Sequence, residues 1–186
     1  MEQFTDQAVV EEILGGSRVA FDELMRRYEQ LVYRISYSYT RRREDAMDVA
    51  QDVFLKVYAK LNTYRGSGTF KGWLIRVAHR ENINWLRRHR KYRDSDGPNP
   101  DALLQSPATQ ETGLLRREQR DQIARALTEL NPTQRLAVAL RYYEELPVRD
   151  IAAALKCSEG NVKSILFRSL QKMRRTFAVQ QGENPV

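Results

Sequence analysis

Apolar residues return every three or four positions along most of this chain and nowhere alternate over a useful length, which restricts it to packed helices. Phe21, Leu24, Met25, Tyr28, Leu31, Val32, Ile35 and Tyr39 follow this spacing without a break. A 3.6-residue turn gathers them on one stripe, so one long helix with a buried face is expected. A second run carries Val49, Val53, Phe54, Val57, Tyr58 and Leu61, and opens with Glu44, Asp45 and Asp48. Those acids suit the positive end of a helix dipole. A third runs from about Phe70 to Arg93, with Trp73, Leu74, Val77, Ala78, Trp85 and Leu86 on its apolar side. Between the last two lies Tyr64-Arg65-Gly66-Ser67-Gly68-Thr69, whose glycines favour a loop. No repeat of 20–50 residues is present. The fold class expected is all-α.

The helical period lapses over residues 94–109, which are rich in Pro, Gly, Ser and Asp. Basic residues outnumber acidic ones by 18 to 12 in residues 1–93 and by 10 to 6 in 123–186, whereas acids lead by 6 to 3 in 94–122. The expected organisation is therefore two small basic helical domains, residues 1–93 and 119–186, joined by an acidic, flexible linker at 94–118. A length of 186 residues accommodates that division. The net charge of +7 favours a polyanionic partner where the surplus clusters. No run approaches the length of a membrane span, and the N-terminus lacks a basic start leading into an apolar stretch, so membrane insertion and secretion are disfavoured. One cysteine and two distant histidines, His79 and His89, make neither a disulfide nor a metal site. A reducing, cytoplasmic setting with no cofactor is expected.

The second domain opens with Ile123, Leu127 and Leu130, then Asn131-Pro132, a capping residue followed by one suited to the first helical position. Leu136, Leu140 and Tyr143 continue its apolar face until Glu144-Glu145-Leu146-Pro147 interrupts it. From Val148 the spacing of Ile151, Ala152, Leu155, Cys157, Val162 and Ile165 fits a helix-turn-helix, turning at Lys156-Cys157 and capped again by Ser158. The second helix would present Asn161, Lys163, Ser164, Phe167, Arg168, Lys172 and Arg175, mixing donors for base edges with cations for phosphates. A plain helical hairpin with a solvated basic face is the competing reading. Cys157, at an apolar turn position, reads as a small buried hydrophobe.

In the first domain Arg87, Arg88, Arg90, Lys91 and Arg93 are too dense for a casual surface and read as polyanion contacts. Trp73 and Trp85 read as core residues, although opened single strands also use aromatic faces. Asp45, Asp48 and Asp52 share a helix face, but no second carboxylate cluster or histidine accompanies them, so a metal-dependent nuclease is disfavoured and dipole pairing accounts for them. A helix-turn-helix repressor or activator that binds duplex DNA by itself is an alternative that leaves the acidic helix 44–61 without a role.

In their order along the chain these motifs resemble the extracytoplasmic-function (group IV) σ factors of bacterial RNA polymerase. Asp45-Ala46-Met47-Asp48-Val49-Ala50-Gln51-Asp52-Val53-Phe54 is similar to the family's region 2.2. Tyr64-Arg65-Gly66 with Phe70, Trp73-Leu74, Arg76 and Ala78 is similar to regions 2.3 and 2.4, and Leu130-Asn131-Pro132 with the helix-turn-helix to region 4. Pro147 stands where the family carries a Ser or Thr cap.

The resemblance implies a dissociable initiation subunit, not an enzyme, that binds core polymerase at its clamp and flap regions. It implies promoter DNA as the second partner, duplex and melted strand alike, and a separate anti-σ protein as the controlling one. Asp48, Gln51, Asp52 and Phe54 would dock on the clamp. Tyr64, Arg65, Ser67, Lys71, Arg76, Arg80, Asn82, Asn84, Arg87 and Arg88 would meet the −10 element, with residues 64–71 holding a flipped-out base. Arg149, Asn161, Lys163, Ser164, Phe167, Arg168 and Arg175 would meet the −35 duplex.

Overall fold

The structure, a computed structural model, describes residues 5–66, 68–89 and 122–180. The linker at 94–118, Ser67 and the cations at positions 90, 91 and 93 lie outside these. Among the described residues there is no strand. Four helices make the first domain: α1 (Asp6–Leu14), α2 (Arg18–Thr40), α3 (Arg43–Lys60) and, after a 3-10 turn at Leu61–Thr63, α4 (Phe70–Arg88). The second holds α5 (residues 122–128), α6 (Pro132–Tyr142), α7 (Val148–Leu155) and α8 (Glu159–Gln180).

Short polar side chains set most of the helix starts, because each satisfies backbone N–H groups left over in a first turn. The Ser17 hydroxyl accepts from the Ala20 N–H and that of Thr69 from the Gly72 N–H, at 3.3 and 3.1 Å. Asn131 and Gln134 form a reciprocal capping box at 2.9 and 3.1 Å, followed by Pro132. Arg42 and Pro147 make no side-chain cap bond; at α3 the acids Glu44 and Asp45 answer the dipole instead. Helix α1 has no counterpart in the sequence reading. Thr5 caps it, and it buries Val9, Val10 and Ile13, too few apolar residues for the period to stand out.

Val32, Ile35, Val53, Leu74 and Ile75 are each at most 1% exposed in the first domain, as are Leu136, Leu140, Ile151 and Val162 in the second. Burying one such side chain contributes about 1.5–3 kcal/mol relative to leaving it in water. The two sets form one continuous cluster, with α6 packed on α2 and α7 on α4. Polar ties cross the seam as well. The Arg135 guanidinium on α6 is 4% exposed and donates to the Ser38 carbonyl of α2 at 2.8 Å. Glu144, in the α6–α7 connector, pairs with Arg34 of α2 and with Lys71 of α4. The sequence period identifies each buried stripe but carries no information about which stripe covers which domain.

Candidate nucleic-acid interface

Three aromatic rings close the head of α4. Tyr64, Phe70 and Trp73 lie 5.5–5.8 Å apart by ring centroids, and Tyr28 of α2 backs Phe70 at 5.5 Å. The Tyr64 hydroxyl donates to the Gly68 carbonyl at 3.1 Å, bringing the two together. Gly66 and Gly68 have φ of 70° and 88°, a region that side chains other than glycine adopt only with strain. Arg65 is exposed on this loop. Trp73 and Trp85 are half-buried and pack on the core, as expected; Trp85 also stacks on His89 at 4.5 Å.

Along α4, Arg76, Arg80, Asn84 and Arg87 follow one another at i+4, i+4 and i+3 and line a cleft of about 540 Å³. Lys60, His79 and Lys156 complete its basic lining, and Glu81 is its one acid. None of Lys60, Arg76, Arg80, Arg87 and Lys156 has an ion-pair partner among the described residues. The Tyr39 hydroxyl is hydrogen-bonded to His79 Nδ1 at 2.5 Å. Burial, and then the positive charge of Lys156, hold the His79 pKa below the ordinary 6.5.

Two expected site residues are buried rather than exposed. Asn82 is 0% exposed and faces α2, donating to the Ala78 carbonyl at 2.8 Å and the Ser36 hydroxyl at 3.3 Å. At about 100° per residue it lies roughly 200° round the helix from both Arg80 and Asn84, on the core side. Phe54 is 8% exposed and belongs to the core stripe of α3. Asp48, Gln51 and Asp52 do share an exposed face. The apolar groups beside them are instead Met47 and Leu55, 54% and 64% exposed, with Tyr58 at 56%. Their signal was in the sequence: Met47 and Leu55 are apolar yet out of phase with the buried stripe Val49, Val53, Val57.

The helix-turn-helix is built on Ile151, Ala152 and Val162, all buried, with Leu155, Cys157 and Ile165 packed against them. Lys156 takes the left-handed turn conformation at φ 54°, and the Ser158 hydroxyl accepts from the Asn161 N–H at 3.2 Å. Asn161, Lys163, Ser164, Phe167, Arg168, Lys172 and Arg175 are all exposed on α8. Phe167 is 64% exposed. Arg168 donates through Nε to the Ser164 carbonyl at 3.2 Å. Arg149, on α7, is exposed and pairs with Asp150 at 3.2 Å.

No group of three or more His, Cys, Asp or Glu that could hold a metal occurs among the described residues, and none of their helices is long and apolar enough to cross a membrane.

Comparison with known proteins matches residues 24–92 to sigma-70 region 2 and residues 120–173 to sigma-70 region 4. The chain is 32% identical over 185 residues to the RNA polymerase sigma-H factor of Pseudomonas aeruginosa, covering 95% of this chain and 96% of that one. It is 32% identical over 176 residues to the ECF RNA polymerase sigma-E factor of Escherichia coli K12, covering 90% and 92%. Its fold is similar to that of CnrH, solved in complex with the cytosolic domain of CnrY, at a TM-score of 0.68 and 19% identity over 96% of this chain and 99% of that one. It is similar also to that of RpoE from Bartonella quintana, solved with the anti-sigma factor NepR, at 0.66 and 24% over 86% and 97%. With both regions present in order and full-length relatives above 30% identity, the chain belongs to the sigma-70 family, as a σ factor of the extracytoplasmic-function type.

Proposed function

We propose that this σ factor divides promoter recognition between its domains, residues 1–93 and 119–186, while core polymerase sets their separation. The exposed face of α3, with Asp48, Gln51 and Asp52 beside Met47 and Leu55, is a mixed acidic and apolar surface suited to docking on the polymerase clamp. Apolar side chains provide area and the carboxylates provide register against a basic partner. The cationic stripe Arg76, Arg80, Asn84, Arg87 and Arg88, with Lys71 and the loop carrying Tyr64 and Arg65, takes the −10 element and its melted strand. Asn161, Lys163, Ser164, Phe167, Arg168 and Arg175 read the −35 duplex in the major groove, and Arg149 steadies a phosphate.

The protein is not an enzyme on this reading; it supplies binding energy that opens DNA, and it acts in the cytoplasm, where the polymerase is. RpoE of Bartonella quintana, similar in fold, was solved with the anti-sigma factor NepR, and a separate protein masking the same faces is the proposed control.

The observation that carries the reading is the chemical contrast between faces: acidic and apolar on α3, cationic and amide-bearing on α4 and α8. Its test is to mix the full chain with core polymerase, follow co-migration, and sequence the transcripts made from genomic template. Co-migration with a defined set of start sites is expected. Tight, site-specific DNA binding with no affinity for polymerase would overturn it in favour of a polymerase-independent regulator.

A further inference from the structure

We propose that the head of α1 is part of the −10 site: Asp6, acting through Tyr28, is a positioning residue that fixes the aromatic rings beneath the loop carrying Tyr64 and Arg65. The role rests on that loop being where an unstacked −10 base is held.

Helix α1 lies outside residues 24–92, the stretch matched to sigma-70 region 2, and its buried Val9, Val10 and Ile13 account only for its anchorage. Its first turn nevertheless meets the loop. A Cβ placed on Gly66 would lie 3.6 Å from Gln7 Oε1, so the loop rests against the head of α1. The Gln7 amide is itself steadied, donating to Glu11 Oε1 at 2.9 Å. Asp6, one residue earlier, reaches the rings through α2.

The two oxygens of Asp6 are divided between neighbours on α2. Oδ2 accepts from the Tyr28 hydroxyl, and Oδ1 accepts from Arg27 Nη1 at 3.4 Å. Glu23 holds Arg27 in turn, accepting from its Nε at 3.0 Å. The Tyr28 ring then backs Phe70 at 5.5 Å, and Phe70 touches Tyr64 and Trp73 at 5.5 and 5.6 Å. Phe70 is 2% exposed, whereas Tyr64 and Trp73 are half-buried and keep ring surface on which a base can stack. In packing this close one ring cannot turn without displacing the next, so the bond that fixes Tyr28 also fixes the rings a base would meet.

The chemistry of the pair suits this task. A partly buried tyrosine hydroxyl requires an acceptor, and a carboxylate makes a bond roughly twice as strong as a neutral group does. Burial, and then the bond to Asp6, hold the Tyr28 pKa above its ordinary 10, so the hydroxyl remains the donor. Burial and the charge of Asp6 also raise the Tyr64 pKa, and Tyr64 keeps the proton it gives to the Gly68 carbonyl. A place in the first turn of α1 explains an acid at this position through the helix dipole, but it does not explain the bond to Tyr28.

What Asp6 supplies is order before binding. The loop carries Gly66 and Gly68 at positive φ, and glycines are the residues that lose most conformational freedom when fixed. Rings already held against α1 leave less of that freedom to be lost when a base enters.

The test uses the full chain assembled with core polymerase and single-stranded −10 oligonucleotides in which each base in turn is replaced by an abasic site. At one position, that of the held base, the parent is expected to lose affinity on the order of tenfold, the scale of one base stacked on an aromatic ring. Asp6→Asn and Tyr28→Phe should each shrink that loss to about threefold or less, with the salt dependence of binding unchanged because neither residue meets a phosphate. Asp6→Glu keeps the acceptor and should restore most of the loss. Tyr28→Phe keeps the ring and removes one oxygen, so it gives the readout should Asp6→Asn fail to fold. A merely structural role would weaken intact and abasic oligonucleotides alike and leave their ratio at the parental value, and that result would overturn the role of Asp6.

Tyr64→Ala separates the two ways of failing. If it abolishes the abasic loss while Asp6→Asn and Tyr28→Phe preserve it, the loop stands as the base holder and α1 alone is rejected. If it leaves the loss intact, or the parent shows no such position, the base is not held at this loop and both readings fall together.

Discussion

The two proposed DNA-reading helices differ in how far the fold leaves them free. On α8 every residue from the expected contact set is exposed, and its packing stripe of Val162, Leu166 and Met173 is turned wholly toward its own domain. On α4 the cationic stripe is half covered, because the helix serves two neighbours: its core face meets α2 and α3, and part of its outer face meets α7. A recognition helix whose buried and reading faces lie on opposite sides is available in any domain arrangement. One flanked by a second domain is open only along the edge that domain leaves uncovered, here Arg80, Arg87 and Arg88, with Arg76 and Asn84 half-buried. This contrast predicts that perturbing the seat of α8 costs folding and −35 binding together, whereas on α4 the two are separable.

The largest effect is expected from Ile151→Ala. Ile151 is 0% exposed, where α7 crosses α8, and deleting its branched side chain there costs about 2–5 kcal/mol through lost transfer energy and the cavity left behind. Thermal unfolding should show the loss, and a −35 duplex probe should bind holoenzyme less well. Unchanged −35 binding in a variant destabilised this far would mean that the reading face does not depend on its seat.

The next pair separates structure from recognition on a single helix. Asn82→Ala should cost about 1–3 kcal/mol of stability, because it strips Ser36 of a buried partner, and should leave oligonucleotide affinity per folded molecule unchanged. Asn84→Ala, two residues on and half-exposed at the cleft, should do the reverse. A loss of −10 affinity from Asn82→Ala, with stability intact, would restore it to the DNA face.

That pair also marks what was legible in the sequence. Period and capping chemistry were sufficient for α2, α3, α6 and the helix-turn-helix, down to the Asn131 and Ser158 caps, because each is decided within a few neighbouring residues; the reciprocal bond from Gln134 was not read. Helix α1 escaped because three buried residues in nine are too few to establish a period. The burial of Asn82 and Phe54 went unread for a different reason: resemblance transfers a residue type to a position, but the angle around the helix decides where the side chain points. Counting 100° per residue from Arg80, or following Val49, Val53 and Val57, places both inside. The seam between domains was not legible at all, since Glu144 reaches across it to partners 110 and 73 positions away. Nothing local in Glu144-Glu145-Leu146-Pro147 names Arg34.

A smaller effect follows from the seam's titratable groups. His79 faces the Tyr39 hydroxyl of α2, Lys60 at the end of α3, Lys156 beyond α7, and Arg76, Arg80 and Glu81 on its own helix. Its pKa is lowered from 6.5 by burial and then by Lys156. An unfolded chain therefore takes up a proton at His79 before the folded one does. Its contribution is intact above pH 6.5 and is lost as pH falls below that value. Glu144, lowered from 4.5, adds a second loss that begins only below that value. Melting temperature should fall in these two steps, and His79→Gln should remove the first alone. A flat profile between pH 7 and pH 5 in the parent chain would reject the placement of His79 at a closed seam.

The smallest effect is expected at the exposed start of α7. Arg149 and Asp150 pair at 3.2 Å, but the Arg149 side chain is 77% exposed, and a pair so hydrated contributes roughly 0–1 kcal/mol. Arg149→Ala should barely change the melting temperature. If Arg149 steadies a −35 phosphate, the variant should weaken binding by a similar factor on every −35 sequence tried and reduce the salt slope by about one unit, because a phosphate contact carries no base information and releases one condensed counterion. Arg168→Ala should discriminate among −35 sequences by about 1–3 kcal/mol if its outer nitrogens make a bidentate base contact. Sequence-dependent loss at Arg149 and uniform loss at Arg168 would exchange their roles, placing the base reader on α7 and the phosphate anchor on α8.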